Sequence, residues 1–258
     1  DLAGVDVVVR SLVDYRTAEL ADLAAETARA SAVGATTVWD LSHAAGVLEL
    51  DLPGAGVEVA VGCTYQFLNG GPGAPAFVFA ARAIHDRITQ PIWGWFAQSD
   101  QFAMERPFDP RPGIGRMLNG TPPVLGLIAA RSGIGVTVEA GITAVAAKAR
   151  RLTGFGLDLA DQFGLATVTP RDPQRRGGHV AIRHPEAHRL HDELTGRRVI
   201  VDRRDPDILR LGLSPLSTRF TVGFGGVGTR AGLASCGPSR AGACAAGSRG
   251  AGGGGPGG

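Results

Sequence analysis

"VDVVVRSLV", Val5–Val13, decides the fold, because the segments after it turn one strand into a unit. It is a short β-branched run of the kind that reads as a buried strand in a parallel sheet. "TAELADLAAETARASA" (Thr17–Ala32) then sets Leu20, Leu23, Ala24 and Ala28 on one helical face, and "TTVWDLSH" (Thr36–His43) returns as a strand. Strand, helix and strand in that order make a βαβ unit. The connection "AAGVLELDLPGAG" leads into the strand "VEVAVGCTYQF" and, past a glycine turn, "PAFVFAA". From about Pro122 the pattern changes to helices, "PVLGLIAARSGI" and "EAGITAVAAKARRLTGFG", before a mixed segment ending "ILRLGLSPLSTRF". These patterns predict an α/β layer over residues 1–121 and a smaller α+β domain over residues 122–221.

After Thr221 the character changes. Residues 222–258 hold 15 Gly in 37 positions with no hydrophobic period, which predicts disorder. The segment reads as a flexible linker or, the reading its composition favours, as out-of-frame translation of a GC-rich gene. Its three arginines and no acid account for the net charge of +2, leaving the body near neutral without a basic stripe for nucleic acid. No run approaches the roughly 18 apolar residues that span a membrane. The opening has neither a basic start nor a cleavage pattern. Cys63, Cys236 and Cys244 are odd in number and widely spread, which fits a reducing cytoplasm better than a disulfide framework. Twenty-five of the 26 basic residues are arginine, so any chemistry that needs a lysine has one candidate, Lys148.

Two motifs weaken on inspection. "GFGGVG" (Gly223, Gly225, Gly228) matches a dinucleotide-binding fingerprint, yet no acid follows it and no amphipathic helix begins there. His184, His188 and His191 have helical spacing, but the Arg, Asp and Glu among them make a solvated amphipathic helix the simpler reading, and no metal is expected. Two others strengthen. In "VWDLSHAAG", Asp40 stands at the carboxyl end of a parallel strand with His43 three residues on, where α/β sheets bind ligands; the alternative is that Asp40 caps the next helix. "CTYQFLNGGPGAPAFVF" joins a strand, Tyr65 and a glycine turn that permits close backbone approach; the alternative is a tight β connection.

With "DYRT", "PIWGWF", "GTPP", "RGGHVAIRHPEA" and "LRLGLSPL", these segments resemble the kynureninases from about Val5 to Phe220. Those are pyridoxal-phosphate enzymes of the aminotransferase-like fold (type I). The resemblance implies hydrolytic cleavage of L-kynurenine or 3-hydroxykynurenine to anthranilate or 3-hydroxyanthranilate and L-alanine, in tryptophan catabolism, by a cytoplasmic homodimer. It implies that Asp40 pairs with the pyridine nitrogen, that His43 lines the cofactor, and that Tyr65 contacts the phosphate and transfers protons. Trp95 and Thr121 would contact cofactor phosphate from a partner subunit, and Arg210 would grip the substrate α-carboxylate, a bidentate task suited to guanidinium.

Three departures qualify this. The family's Schiff-base lysine position is Gln66, whose amide is neither nucleophilic nor titratable. Lys148, on a helix beside Arg150 and Arg151, is no substitute. The part of the family's large domain that carries the phosphate loop and the stacking aromatic is expected to be missing, leaving an exposed strand or apolar face and making Gln66→Lys alone insufficient for activity. Similarity also stops after "STRFT", before the family's final amphipathic helix. An inactive homologue that binds the cofactor or an aromatic amino acid, or that dimerises with an active subunit, is the alternative; a desulfurase of the same fold meets the same obstacle at position 66.

Overall fold

The computed structural model describes residues 2–104 and 107–221. The glycine-rich tail, with its fingerprint motif, Cys236 and Cys244, lies outside the described residues. The first sheet contains β1 (Val7–Ser11), β2 (Thr36–Asp40), β3 (Val59–Cys63) and β4 (Ala76–Ala80), in that spatial order. β1, β2 and β3 run parallel, and β4 returns antiparallel to β3 across the glycine turn.

The helix between β1 and β2 is shorter than its periodicity suggests. α1 spans Leu23–Ser31, with the Asp22 carboxylate capping it by accepting from the Ala25 N–H. Leu20 falls before it, bridged to Val13, so Asp22 rather than apolar spacing sets the start. Trp39, fully buried on β2, donates from Nε1 to Thr27 Oγ1 at 2.9 Å and fixes α1 over the sheet. Leu12, Val13, Leu41, Val57 and Ala60 complete this core.

β1 corrects one expectation. It lies at the edge of the described sheet with Val7 55% and Val9 74% exposed, so its β-branched run is not buried. The other expectation, of an exposed apolar strand, is met here. A run of valines encodes a strand, but burial depends on what lies against it.

The second sheet is antiparallel, in the order β5 (His179–Arg183), β7 (Ile208–Gly212), β6 (Asp202–Arg204). Val180, Ile182 and Leu211 pack with Leu152, Leu157 and Leu159 of the long helix α3 (Ile142–Gln162). Leu209 packs instead with Leu190 and Leu194 of α4 (Ala187–Gly196). The preceding helix, α2 (Val124–Ala140), meets α3 at a bend of 86°. α2 packs on the glycine turn of the first sheet: a Cβ on Gly133 would stand 2.5 Å from the carbonyl oxygens of Leu68 and Asn69. Its other faces are apolar and exposed, including Leu125 at 83% and Ile128 at 57%. Among the described residues no single helix is long and apolar enough to cross a membrane.

Candidate active site

The site forms where β2, the turn after β3 and the second sheet meet. Asp40, the last residue of β2, accepts from Ser11 Oγ at 3.1 Å and from the Ser42 N–H at 2.9 Å. Partial burial would raise its pKa, but hydrogen bonds from Ser42 and Ser11 outweigh it and, with His43, hold the carboxyl below its ordinary value. Asp40 therefore closes a local turn at Ser42 rather than capping a helix, and it stays ionised at neutral pH.

His43, half-buried in that turn, has Nε2 3.5 Å from Arg210 Nη1. Burial first, and then the Arg210 charge, lower its pKa, so the ring is neutral at neutral pH. Arg210 projects from β7 and is itself buried. Its Nε donates to Asp202 Oδ2 at 2.9 Å, Nη2 donates to the same oxygen, and Nη1 donates to the Tyr15 carbonyl at 2.7 Å. The "DYRT" segment supplies that carbonyl: Asp14 Oδ1 accepts from the N–H groups of Arg16 and Thr17, folding a turn that presents Tyr15 O.

Two residues that sequence reasoning passed over complete the cluster. His179 begins β5, on the same sheet face as Arg210, since Ala181 pairs with Arg210 and residues two apart share a face. It is 4% exposed, its ring centroid is 6.0 Å from that of His43, and its Nε2 has no hydrogen-bond partner. Burial first, then the Arg210 charge, push its pKa down to about 3. The signal for its position was the glycine pair before it: a Cβ on Gly178 would meet Phe67 Cζ at 2.7 Å and Val47 Cγ2 at 2.9 Å, so only glycine lets β5 enter this close. The second missed residue is Asp202, which no motif marked.

Tyr65 and Gln66 follow β3. The glycine turn beyond them uses left-handed backbone at Asn69, Gly71 and Gly73. Tyr65 is 51% exposed, and interaction with Cys63 raises its phenol pKa, which keeps it protonated at neutral pH. Gln66 Oε1 is buried without a partner. Among the described residues no hydrogen bond, ion pair or ring contact joins Trp95 or Thr121 to this cluster. Trp95 packs edge-on against Phe96 and Phe102 in an exposed loop, and Thr121 is exposed just before α2. Lys148 is half-exposed on α3. His188 and His191 lie on α4, paired with Asp205 and Asp192, while His184 precedes the helix. No group of three or more potential metal ligands converges among the described residues.

Residues 145–222 match the kynureninase C-terminal domain family. The chain is 41% identical to a kynureninase from Pseudomonas fluorescens over 83% of its own length and 53% of that protein. It is 43% identical to one from Deinococcus radiodurans over 82% of its length and 53% of that protein. Among solved structures, a C-DES mutant with glycine covalently linked to its PLP cofactor aligns with a TM-score of 0.77 at 16% identity, over 88% of this chain and 60% of that one. The chain spans about half the length of the curated relatives it matches. It is a homologue of the kynureninases, built on the aminotransferase-like fold of the pyridoxal-phosphate enzymes.

Proposed function

We propose that the chain forms a kynureninase-type site for pyridoxal phosphate and L-kynurenine or its 3-hydroxy derivative, releasing anthranilate or 3-hydroxyanthranilate and L-alanine. The observation that carries this reading is the convergence of ionised Asp40 and neutral His43, at the end of β2 and in the turn after it, with buried Arg210 of β7, in a chain about 40% identical to kynureninases. The residues present fit a non-covalently held cofactor. Gln66 Oε1 is a buried acceptor without a donor, a cost of about 1–3 kcal/mol that a ligand donor or a trapped water would recover. When bound, pyridoxal phosphate supplies an electron sink for bond cleavage at the substrate.

The protein's own tasks follow from the geometry. Asp40 holds a carboxylate ready for the pyridine nitrogen, and His43 lines the ring as a neutral imidazole. Tyr65 keeps a proton on its hydroxyl for delivery, and Arg210 holds the substrate carboxylate. Trp95 and Thr121, exposed and apart from this cluster, act on the phosphate in a second copy, and the apolar α2 beside Thr121 supports a homodimer. The setting is the cytoplasm and tryptophan catabolism, which leads toward NAD biosynthesis.

Gln66 limits turnover, because its delocalised amide nitrogen can neither attack a carbonyl nor shuttle a proton. It equally favours a second reading, a silent homologue that binds cofactor or substrate without releasing product. Titrating the chain with pyridoxal phosphate by absorbance, alongside an anthranilate assay, separates the two: binding with slow release supports the enzyme, and binding with none supports the silent homologue. Failure to bind the cofactor would sink the enzyme reading, and failure to bind kynurenine as well would sink both. Gln66→Lys should additionally make the cofactor trappable by borohydride, read as a mass increment on the peptide carrying position 66.

A further inference from the structure

Arg210 is already held by a carboxylate of its own chain, and the way it is held determines what remains for a ligand. A guanidinium has five N–H groups. Nε and one N–H of Nη2 go to Asp202 Oδ2, and one N–H of Nη1 goes to the Tyr15 carbonyl. That leaves one N–H on each terminal nitrogen. The one on Nη1 faces His43 Nε2 at 3.5 Å, long enough to yield to a closer oxygen. A pair of N–H groups on the Nη1–Nη2 end is the arrangement that grips a carboxylate through both oxygens.

Asp202 is itself fixed. Its Oδ1 accepts from Arg204 Nη1 at 2.7 Å, and the Arg204 guanidinium lies 6.0 Å from the Tyr15 ring centroid. Tyr15, Arg204, Asp202 and Arg210 thus close a ring of contacts between the first sheet's loop and the second sheet. His179, buried on the same face with Nε2 unpartnered, is a second observation that a polar ligand group belongs here.

We propose that Asp202 is a positioning residue: by occupying the Nε edge of Arg210 it reserves the Nη1–Nη2 end, beside His43, for an incoming carboxylate. The inference rests on reading Arg210 as the carboxylate clamp. It makes Asp202 a determinant of selectivity for a free α-carboxylate over an amide or ester, since a neutral carbonyl lacks the charge that makes a carboxylate's paired hydrogen bonds to guanidinium about twice as strong.

The test is calorimetric binding to the full chain of L-kynurenine, L-kynurenine α-carboxamide, L-alanine and L-alaninamide, with Asp202→Asn and Asp202→Ala variants. Asp202→Asn is nearly isosteric and guards against simple misfolding, which circular dichroism will detect. Asp202→Ala should weaken both carboxylates by about tenfold, the value of one charge-assisted hydrogen bond, with Asp202→Asn between and the amides unchanged. Equal loss for acid and amide would mean a merely structural role and overturn the proposal, as would tighter carboxylate binding, which would make Asp202 a competitor. Kynurenine failing to bind while alanine keeps an Asp202-dependent preference over its amide would sink the kynureninase reading and leave this inference standing. No preference for acid over amide in the unaltered chain would overturn the inference.

Discussion

His179 carries the clearest pH dependence of any residue in the site. A buried histidine whose pKa falls from 6.5 to about 3 is neutral in the fold but protonates in the unfolded chain below pH 6.5. The unfolded state then binds more protons, so this contribution to stability is intact above pH 6.5 and is lost as pH falls toward 3. The slope is about 1.4 kcal/mol per pH unit for one group. His43 is shifted in the same direction and adds to the trend. Urea unfolding between pH 7 and 4.5, above the ordinary aspartate range, should show stability falling in the unaltered chain and a shallower fall in His179→Leu; parallel curves would refute the burial argument. Arg210→Lys, which keeps charge but loses the planar fork, should weaken carboxylate binding about tenfold or more in a direct titration.

At the scale of elements, the decisive contact is α2 on the glycine turn. Gly133→Ala would drive a Cβ to 2.5 Å from two backbone carbonyls, so it should destabilise by about 1–3 kcal/mol in chemical denaturation. Gly135, two residues on, has open space around a Cβ. Gly135→Ala should therefore stabilise by about 0.5–1 kcal/mol through helix propensity alone. Opposite signs from neighbouring glycines of one helix would show that packing, not propensity, sets the first. The sequence made β2, α3 and the turn legible because their periodicity and glycines are local. The start of α1 was misjudged because Asp22 interrupts a pattern that apolar spacing alone would continue. Asp40, His43 and Arg210 were legible through family motifs. His179 and Asp202 were not, because their placement arises from strand pairing that no local period encodes, Asp202 lying against Arg210 and Arg210 against Ala181.

For the whole molecule, exposed apolar surface governs behaviour in solution. Val7 and Val9 on the edge strand and Leu125 and Ile128 on α2 leave two apolar regions uncovered. Sedimentation velocity should show association that grows with concentration. Leu125→Glu together with Ile128→Lys should reduce it if α2 is the contact, and Val9→Lys should reduce it if the strand edge is. Indifference to both changes would remove the surface argument for a dimer.

The chain's three tryptophans divide between the enclosed core and the exposed surface. Trp39 is fully enclosed between α1 and the sheet, while Trp93 and Trp95 are 68% and 44% exposed in the aromatic loop. One emission spectrum therefore contains two reporters. Iodide should quench the loop pair and spare Trp39, so the unquenched fraction follows the integrity of the βαβ core. The quenchable fraction follows whatever comes to cover the loop. A second copy that receives Trp95 would shield it from iodide without altering Trp39, and docking could be followed by light without any label.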